Sequence, residues 1–408
     1  MKWWSKALAL AVSGMAVAWA GQAGSQAAQE AAPEATPMTS EQVFKNIQVL
    51  KGIPVDDFMG TMGLMSAALG FDCSECHANA GTDKVDWAAD TPNKLISRRM
   101  VEMVTTINRA NFGGRQLVTC WTCHRNRDRP VVTPSMDIVY GTPLIVPDDI
   151  VKAGAGKQTV ADVLDRYIQA LGGAQRLAGL TSFVGTGRSV GFGGLGGGAQ
   201  VTLLAKAPDQ RTLILDYVDA PDRGDTTRSY NGKVGWLRTP LNVVGEYELS
   251  GGELDGARLD AQLSFPGQIK QVLTNLKVGT ATWISDLSGP SSQTSLQESS
   301  NVMVGQDRSV DVVQGTGPRG LLTTLYFAKD NGLLLRIVRY DATPIGRVPT
   351  QIDFADYRDV GGIKFPFRMT FAWLDGRDAI QLNEIQTNVP IDEAKFGRPA
   401  PLKKSSFQ

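Results

Sequence analysis

The feature that most constrains this chain is a five-residue motif that occurs twice. Cys73-Ser74-Glu75-Cys76-His77 and Cys120-Trp121-Thr122-Cys123-His124 both read C-x-x-C-H, and together they use all four cysteines and both histidines of the 408 residues. This is the attachment signature of haem c. Two thiols add across the two vinyl groups of one haem, and the spacing sets both sulfurs on one edge of the ring. The adjacent histidine then supplies an imidazole nitrogen to the iron. Two other chemistries use the same cysteines: four thiolates in two pairs can hold zinc, and in an oxidising compartment each pair can close a disulfide. Neither requires a histidine directly after each pair. Two covalent haem c groups are therefore expected, attached at Cys73, Cys76, Cys120 and Cys123, with His77 and His124 as proximal ligands.

Counting then constrains the opposite face of each iron. Both histidines are used, so neither haem can be bis-His within this chain. Methionine is the soft, neutral ligand that remains, and it raises the haem potential relative to histidine. The alternative is an open or Lys-ligated iron. Pro54 to Leu69 is expected to be a helix: Pro54 suits its first turn, Asp56 and Asp57 suit its positive end, and Gly70 ends it. Phe58, Met62, Met65 and Leu69 recur at helical spacing and define an apolar face. Met59, Met62 and Met65 all precede the first motif, and only one can reach an iron. A second helix is expected from about Pro92 to Asn111, with Thr91 as N-cap and Ile96, Met100, Met103, Val104 and Ile107 on its apolar face. A single Met in such a helix is ordinarily core filling. Five in two short helices point to one ligating Met in each.

Residues 1–20 read as a removable export signal, with Lys2 and Lys6 before the apolar stretch Ala7 to Ala20 and a small-x-small site at Ala18-Trp19-Ala20. That stretch is short for a membrane span. Residues 21–39, rich in Ala, Gln, Pro and Glu, read as a linker. A periplasmic or otherwise exported location follows, after cleavage of the signal. Hydrophobic content of 42% and charge content of 20% describe an ordinary globular protein. Lys+Arg and Asp+Glu number 41 each, which leaves no electrostatic footprint for nucleic acid. A locally charged docking face would be averaged away in that balance.

From about residue 43 to 134 the chain resembles the photosynthetic reaction-centre cytochrome c subunit family. Three stretches carry the resemblance. Met62 to His77, MGLMSAALGFDCSECH, is a Met-bearing helix running into a haem motif; Arg99 to Phe112, RMVEMVTTINRANF, is the helix before the second haem; Val118 to Pro130, VTCWTCHRNRDRP, carries the family's Cys-aromatic-Thr-Cys-His-Arg run. In that family each helix supplies the sixth-ligand Met to the haem that follows it. Carried over by position, the resemblance implies Met62 for the first haem and Met100 for the second, with Met103 as runner-up. It also makes Arg125, directly after the second motif, a partner for a haem propionate. Known four-haem members have two similar halves, and this chain resembles one.

The remainder reads differently. A helical haem domain is expected over 40–140, with a short helix from Ser40 through Leu50. A Pro- and Gly-bearing linker follows at 141–157, then a β domain at 158–398 and a tail at 399–408. Thr159 caps a helix bearing Val160, Val163, Leu164, Tyr167, Ile168 and Leu171 on one face, and Gly172 and Gly173 stop it. Hairpin signals follow at Tyr230-Asn231-Gly232-Lys233, at Asp330-Asn331-Gly332 within Leu325 to Tyr340, and at Gly361-Gly362 within Phe354 to Phe371, with a last strand over Arg377 to Asn388. No helix of comparable clarity interrupts this run, so antiparallel pairing is expected. The fold class is thus α+β and multidomain: a small all-α dihaem domain followed by an antiparallel β domain, a curved sheet or half-barrel with a leading helix. The YIQALGG of that helix and the ending VPIDEAKF from Val389 weakly resemble the periplasmic lipoprotein-carrier type of fold, which implies a concave face able to hold a lipid-like ligand; a docking or spacing role is favoured over it. Gly191 to Gly198 lacks the G-K-[ST] ending of a phosphate loop and reads as a hairpin turn.

These features point to a periplasmic electron carrier and not an enzyme, passing electrons between redox partner proteins such as a membrane reaction centre or a respiratory complex. Met ligation closes both irons to substrate, and the cofactor carries the redox step. The alternatives are a peroxidase-like dihaem enzyme, which needs an open iron, and a lipid-like ligand-binding protein with a haem module.

Overall fold

A computed structural model describes residues 37–141, 149–191, 198–217, 224–241, 243–285, 307–374 and 376–402. The expected export signal lies outside the described residues. So do most of the linker at 21–39, the middle of the one at 141–157, the Gly-rich turn between residues 191 and 198, and the end of the tail. Pro37–Gln408 forms one compact unit.

The helices come first. Thr39 opens α1 (Ser40–Val43) through a reciprocal capping box with Gln42, and the helix stops at one turn instead of running to Leu50. Helix α2 (Val55–Leu69) starts after Pro54 and ends at Gly70, whose left-handed backbone (φ 69°) only glycine adopts at little cost. Thr91 caps α3 (Pro92–Phe112), accepting a bond from Lys94 N. Two short helices follow, α4 (Cys120–His124) and α5 (Met136–Tyr140).

The chain's own contacts bury only part of the expected faces of α2 and α3, Val104 among them. On α2 the buried apolar residues are Val55, Leu64 and Ala68, while the Phe58–Met62–Met65–Leu69 stripe is half-buried. On α3 the buried residues are Arg98, Val101, Val104 and Asn108, whereas Ile96 and Met103 are exposed. The reason on α3 is polar pinning. Arg98 bonds Asp90 Oδ1 at 2.7 Å and Asn46 O at 2.9 Å. The Asn108 amide accepts from Leu117 N and Val118 N and donates to Val118 O. Satisfying these buried groups sets the helix's rotation.

Helix α6 (Val160–Ala170) is capped by Thr159 and Asp162 and buries Val163, Leu164, Tyr167 and Ile168, the expected face. After α7 (Ala174–Ala178) come six strands: β1 (Ser182–Gly191), β2 (Ala199–Lys206), β3 (Gln210–Asp216), β4 (Asp225–Tyr230), β5 (Gly235–Arg238) and β6 (Glu246–Glu248). Next is a helix the sequence pattern did not announce, α8 (Gly251–Leu263). Its paired leading glycines and its buried Asp255, Gly256 and Ala257 blur the periodicity of an apolar stripe. After α9 (Ile269–Val272) run β7 (Thr274–Val278), β8 (Thr282–Ser285), β9 (Asp307–Thr316), β10 (Leu322–Ala328), β11 (Leu334–Thr343), β12 (Gly346–Val360), β13 (Ile363–Trp373) and β14 (Gly376–Thr387). The expected hairpins are β4–β5, β10–β11 and β12–β13.

Every pairing among the described strands is antiparallel, in one sheet ordered β6-β5-β4-β3-β2-β1-β14-β13-β12-β11-β10-β9-β7, with β8 beside β9. Leu203 and Leu215 from one half and Val313 and Phe327 from the other join a single core cluster with α6 and α8. In a flat sheet β3 and β9, eight positions apart, would lie roughly 38 Å from each other. One cluster holds both, so the sheet curves around these helices.

The helical region packs on the sheet at two places. Ile345, fully buried in the β11–β12 turn, joins one core cluster with Leu64 of α2 and Val101 of α3. Val55 and Met59 join Tyr230, Tyr247, Leu249 and two alanines of α8. Beside the second contact, Asp56 accepts from Ser250 N at 2.7 Å and Ser250 Oγ at 2.6 Å, so a carboxylate of α2 caps α8. Among the described residues no helix is long and apolar enough to cross a membrane.

Candidate functional site

The two C-x-x-C-H motifs sit on different local structures. The first forms a 3-10 turn over Cys73–Glu75, opened by Asp72, whose carboxylate accepts from Ser74 N at 2.7 Å. The start of α3 then grips it from outside. Thr91 Oγ1 donates to Cys76 O at 2.6 Å and Asn93 Nδ2 donates to Glu75 O at 2.9 Å. One threonine thus caps α3 and holds the motif. His77 is half-buried and meets Trp87 edge-on, ring centroids 5.0 Å apart. Burial first, and then the Lys94 ammonium, hold the His77 imidazole below its usual pKa, which favours the neutral ring an iron needs. Among the described residues Trp87 Nε1 is a buried polar atom with no hydrogen-bond partner, and His77 Nδ1 has no bond within ordinary limits, with the Trp87 backbone as the polar group beside the ring.

The second motif is itself a helix, α4, opened by a box in which Thr119 Oγ1 accepts from Thr122 N and Thr122 Oγ1 accepts from Thr119 N. Arg125 ends it in a left-handed conformation (φ 51°). The chain then turns so that Asn126 N and Arg127 N both donate to Ala68 O at the end of α2, at 2.8 and 3.2 Å. This turn places Arg127 O 3.0 Å from His124 Nδ1. A proton on Nδ1 is held by that carbonyl, and Nε2 keeps its lone pair for a metal, the outer-shell arrangement that fixes a ligating histidine.

Among the described residues no disulfide joins the four cysteines. Cys76 and Cys120 are half-buried, and burial pushes both thiols above their usual pKa. Among the described residues no three His, Cys, Asp or Glu side chains converge to hold a metal, so the two pairs do not form one four-thiolate cage. Of the methionines on α2, Met59 joins the cluster with Tyr230 and Tyr247, and Met65 joins the one with Leu64, Ile345 and Cys120. Met62 is half-buried and belongs to none of the four clusters among the described residues, and Met100 on α3 is the same. Met103 is 42% exposed. Arg125 is exposed. Each motif therefore has paired thiols, a neutral-poised or oriented imidazole and a thioether on the helix before it, a donor set that fits haem c. Trp87, Asn93 and the Arg127 carbonyl were not foreseen. Only Thr91 had a sequence signal, as an N-cap.

The sheet carries a separate feature. A cleft of about 100 Å3, open to solvent, lies between it and α6 and α8; Phe183, Leu203, Phe354 and Met369 give it apolar walls, and Arg211 and Asp260 polar points.

Residues 13–136 match the family described as the photosynthetic reaction centre cytochrome C subunit. Two reviewed relatives carry that description. The protein of Thermochromatium tepidum is 36% identical over 100 residues, 23% of this chain and 23% of its own length. That of Rubrivivax gelatinosus is 32% identical over 95 residues, 22% of this chain and 25% of its own. The chain thus spans about a quarter of the length of these relatives. Among solved structures, it is similar to a LolA superfamily protein from Nitrosomonas europaea, at 10% identity and TM-score 0.37, covering 59% of this chain and 98% of that one. A DUF1329 family protein from Desulfovibrio piger gives 14%, 0.36, 61% and 99%. Likenesses of this size do not decide the fold, which rests on the strand pairing above.

Proposed function

We propose that the chain carries electrons between redox partner proteins on the exported side of the membrane, through two haem c groups in its helical region. Cys73 and Cys76 hold the first haem, with His77 and Met62 as axial ligands. Cys120 and Cys123 hold the second, with His124 and Met100. When bound, each group supplies a one-electron couple. The protein attaches it, sets its ligands and excludes other donors. The observation that supports this most directly is the His124 Nδ1 to Arg127 O contact of 3.0 Å, which leaves Nε2 facing its task. The likeness of residues 13–136 to reaction-centre cytochrome c subunits supports the same reading and makes a membrane reaction centre the leading partner, a respiratory complex the other. Arg125, exposed beside the second motif, pairs with a propionate. If Met62 and Met100 held the irons opposite His77 and His124, neither iron would offer a site for substrate, which favours a carrier over a peroxidase-like enzyme.

Intact mass and a haem-to-protein ratio on the exported holoprotein test the count: two haems are expected, and one or none refutes the reading. Met62→Ala and Met100→Ala, made singly, should each remove the Met–iron charge-transfer band of one haem. If neither changes the spectrum, the ligand assignment fails.

A second reading rests on the cleft. Its apolar walls favour a lipid-like ligand for the sheet. Native mass spectrometry of the whole chain should then show a co-purifying apolar species; its absence, with no uptake of added lipid, removes this reading.

A further inference from the structure

The neutral balance of the whole chain conceals two exposed segments of opposite charge. Between residues 71 and 90, around the first motif, five acids (Asp72, Glu75, Asp83, Asp86 and Asp90) face one base, Lys84. Between residues 109 and 129, around the second, five arginines (109, 115, 125, 127 and 129) face one acid, Asp128. The first segment is net four negative and the second net four positive. All these side chains are exposed.

The second segment is also folded onto itself. Asn108 ties the end of α3 to Leu117 and Val118, and His124 bonds Arg127 O. These bonds keep the chain from Asn108 to Arg127, and the arginines it carries, next to α4 in one folded stretch. Among the described residues none of the five makes an ion pair, and with Arg125 assigned to a propionate, Arg109, Arg115, Arg127 and Arg129 are left to charge the rim. Trp121, between the paired cysteines, is 47% exposed, and Val132, just beyond Arg129, is 90% exposed. An apolar centre with an unpaired charged rim is the anatomy of a transient protein contact.

We propose that the arginine-rimmed face around Trp121 docks an acidic redox protein at the second motif. This rests on the electron-carrier reading above and adds the sign of the partner. A like-charged basic protein is repelled there, while the acids around the first motif, of which Asp90 is already paired with Arg98, do not repel it. Steering of this kind acts on encounter rate and weakens as salt shortens the range of the field.

The test uses the holoprotein and two probes that share one cofactor: a basic mitochondrial cytochrome c, and the same protein succinylated on its lysines to make it acidic. Stopped-flow electron exchange is followed against ionic strength. At low salt, Arg109→Glu/Arg115→Glu/Arg129→Glu should slow exchange with the acidic probe by about tenfold or more and abolish its salt dependence. Exchange with the basic probe should not slow, and haem content should match the parent protein. The single Arg129→Gln, a milder change, should move the acidic-probe rate in the same direction by about twofold. An unchanged acidic-probe rate in both variants overturns the proposal. So does binding of the parent protein, but not the triple variant, to phosphatidylglycerol vesicles without any rate effect, which assigns the face to a membrane. A chain purified without haem refutes the carrier reading instead, before any probe is added.

Discussion

The two C-x-x-C-H segments share a motif and little else. The first is held from a distance in sequence: Thr91 and Asn93, at the start of α3, bond the carbonyls of Cys76 and Glu75. The second holds itself, through the Thr119–Thr122 capping box and the His124–Arg127 bond, and is tied to the rest at Ala68 O. The first lies in an acidic stretch, the second in a basic one. A haem motif thus specifies its bond chemistry, while the surrounding chain specifies how firmly and in what field each copy is held.

Ile345→Asp should separate the two sites most sharply. The residue is fully buried in the cluster that contains Cys120, and an unpaired carboxylate there costs roughly 4 kcal/mol or more. Denaturant unfolding and haem counting should show a large loss of stability with the second site emptied first. Equal loss at both sites would mean that α2, α3 and α4 respond as one body.

A pH effect comes next, at the contact of α2 with α8 and β11. Asp57 and Asp341 approach each other there; burial, and then Asp56 for Asp57, raises Asp57 to about 6, while burial and then Asp57 raise Asp341 to about 7. Glu253 on α8 adds to both, and Arg228 on β4 is held by Glu253 instead. A carboxyl whose pKa is raised in the fold stabilises it fully below the ordinary value near 3.8, and that stability is lost as pH rises through the raised values. Thermal stability should therefore fall between about pH 4 and pH 8, and Asp341→Asn should flatten the slope. With solvent screening on the half-buried Asp57, about 1–2 kcal/mol is expected. A slope that the variant leaves intact places the titration elsewhere.

The smallest effects test the anchoring directly. Thr91→Val removes a cap and the bond to Cys76 O, at about 1 kcal/mol, and should alter the spectrum and potential of the first haem only. Thr119→Ala should cost about 0.5 kcal/mol and alter only the second. Crossed effects would erase the distinction between remote and local anchoring.

Much of this was legible in advance where the signal is local. The Thr91 and Thr159 caps, the Gly70 stop, and the hairpins at Asn231-Gly232, Asn331-Gly332 and Gly361-Gly362 all stand where turn and cap chemistry put them. Helix α8 was not legible, because Gly251-Gly252 and the buried Asp255 break the apolar period that announces a helix. The reach of α1 was overstated, since one capping box supports one turn. At the candidate site, the cysteines, histidines and methionines were readable as a donor inventory. The partners of His77 and His124 were not, because they are a ring ten residues on and a backbone carbonyl.

The sequence alone thus determined the two C-x-x-C-H motifs, which use every cysteine and histidine of the chain, and the run of helices followed by antiparallel strands. Tertiary structure decided which faces of α2 and α3 are buried, how Ile345 joins sheet to helices, and where the charges of a neutral chain collect. The physical reason is range. Thiol spacing, capping and turn preference act within a few residues, so they can be read along the chain. Burial and electrostatic fields depend on what the fold brings alongside, and apolar periodicity marks a face without naming its neighbour.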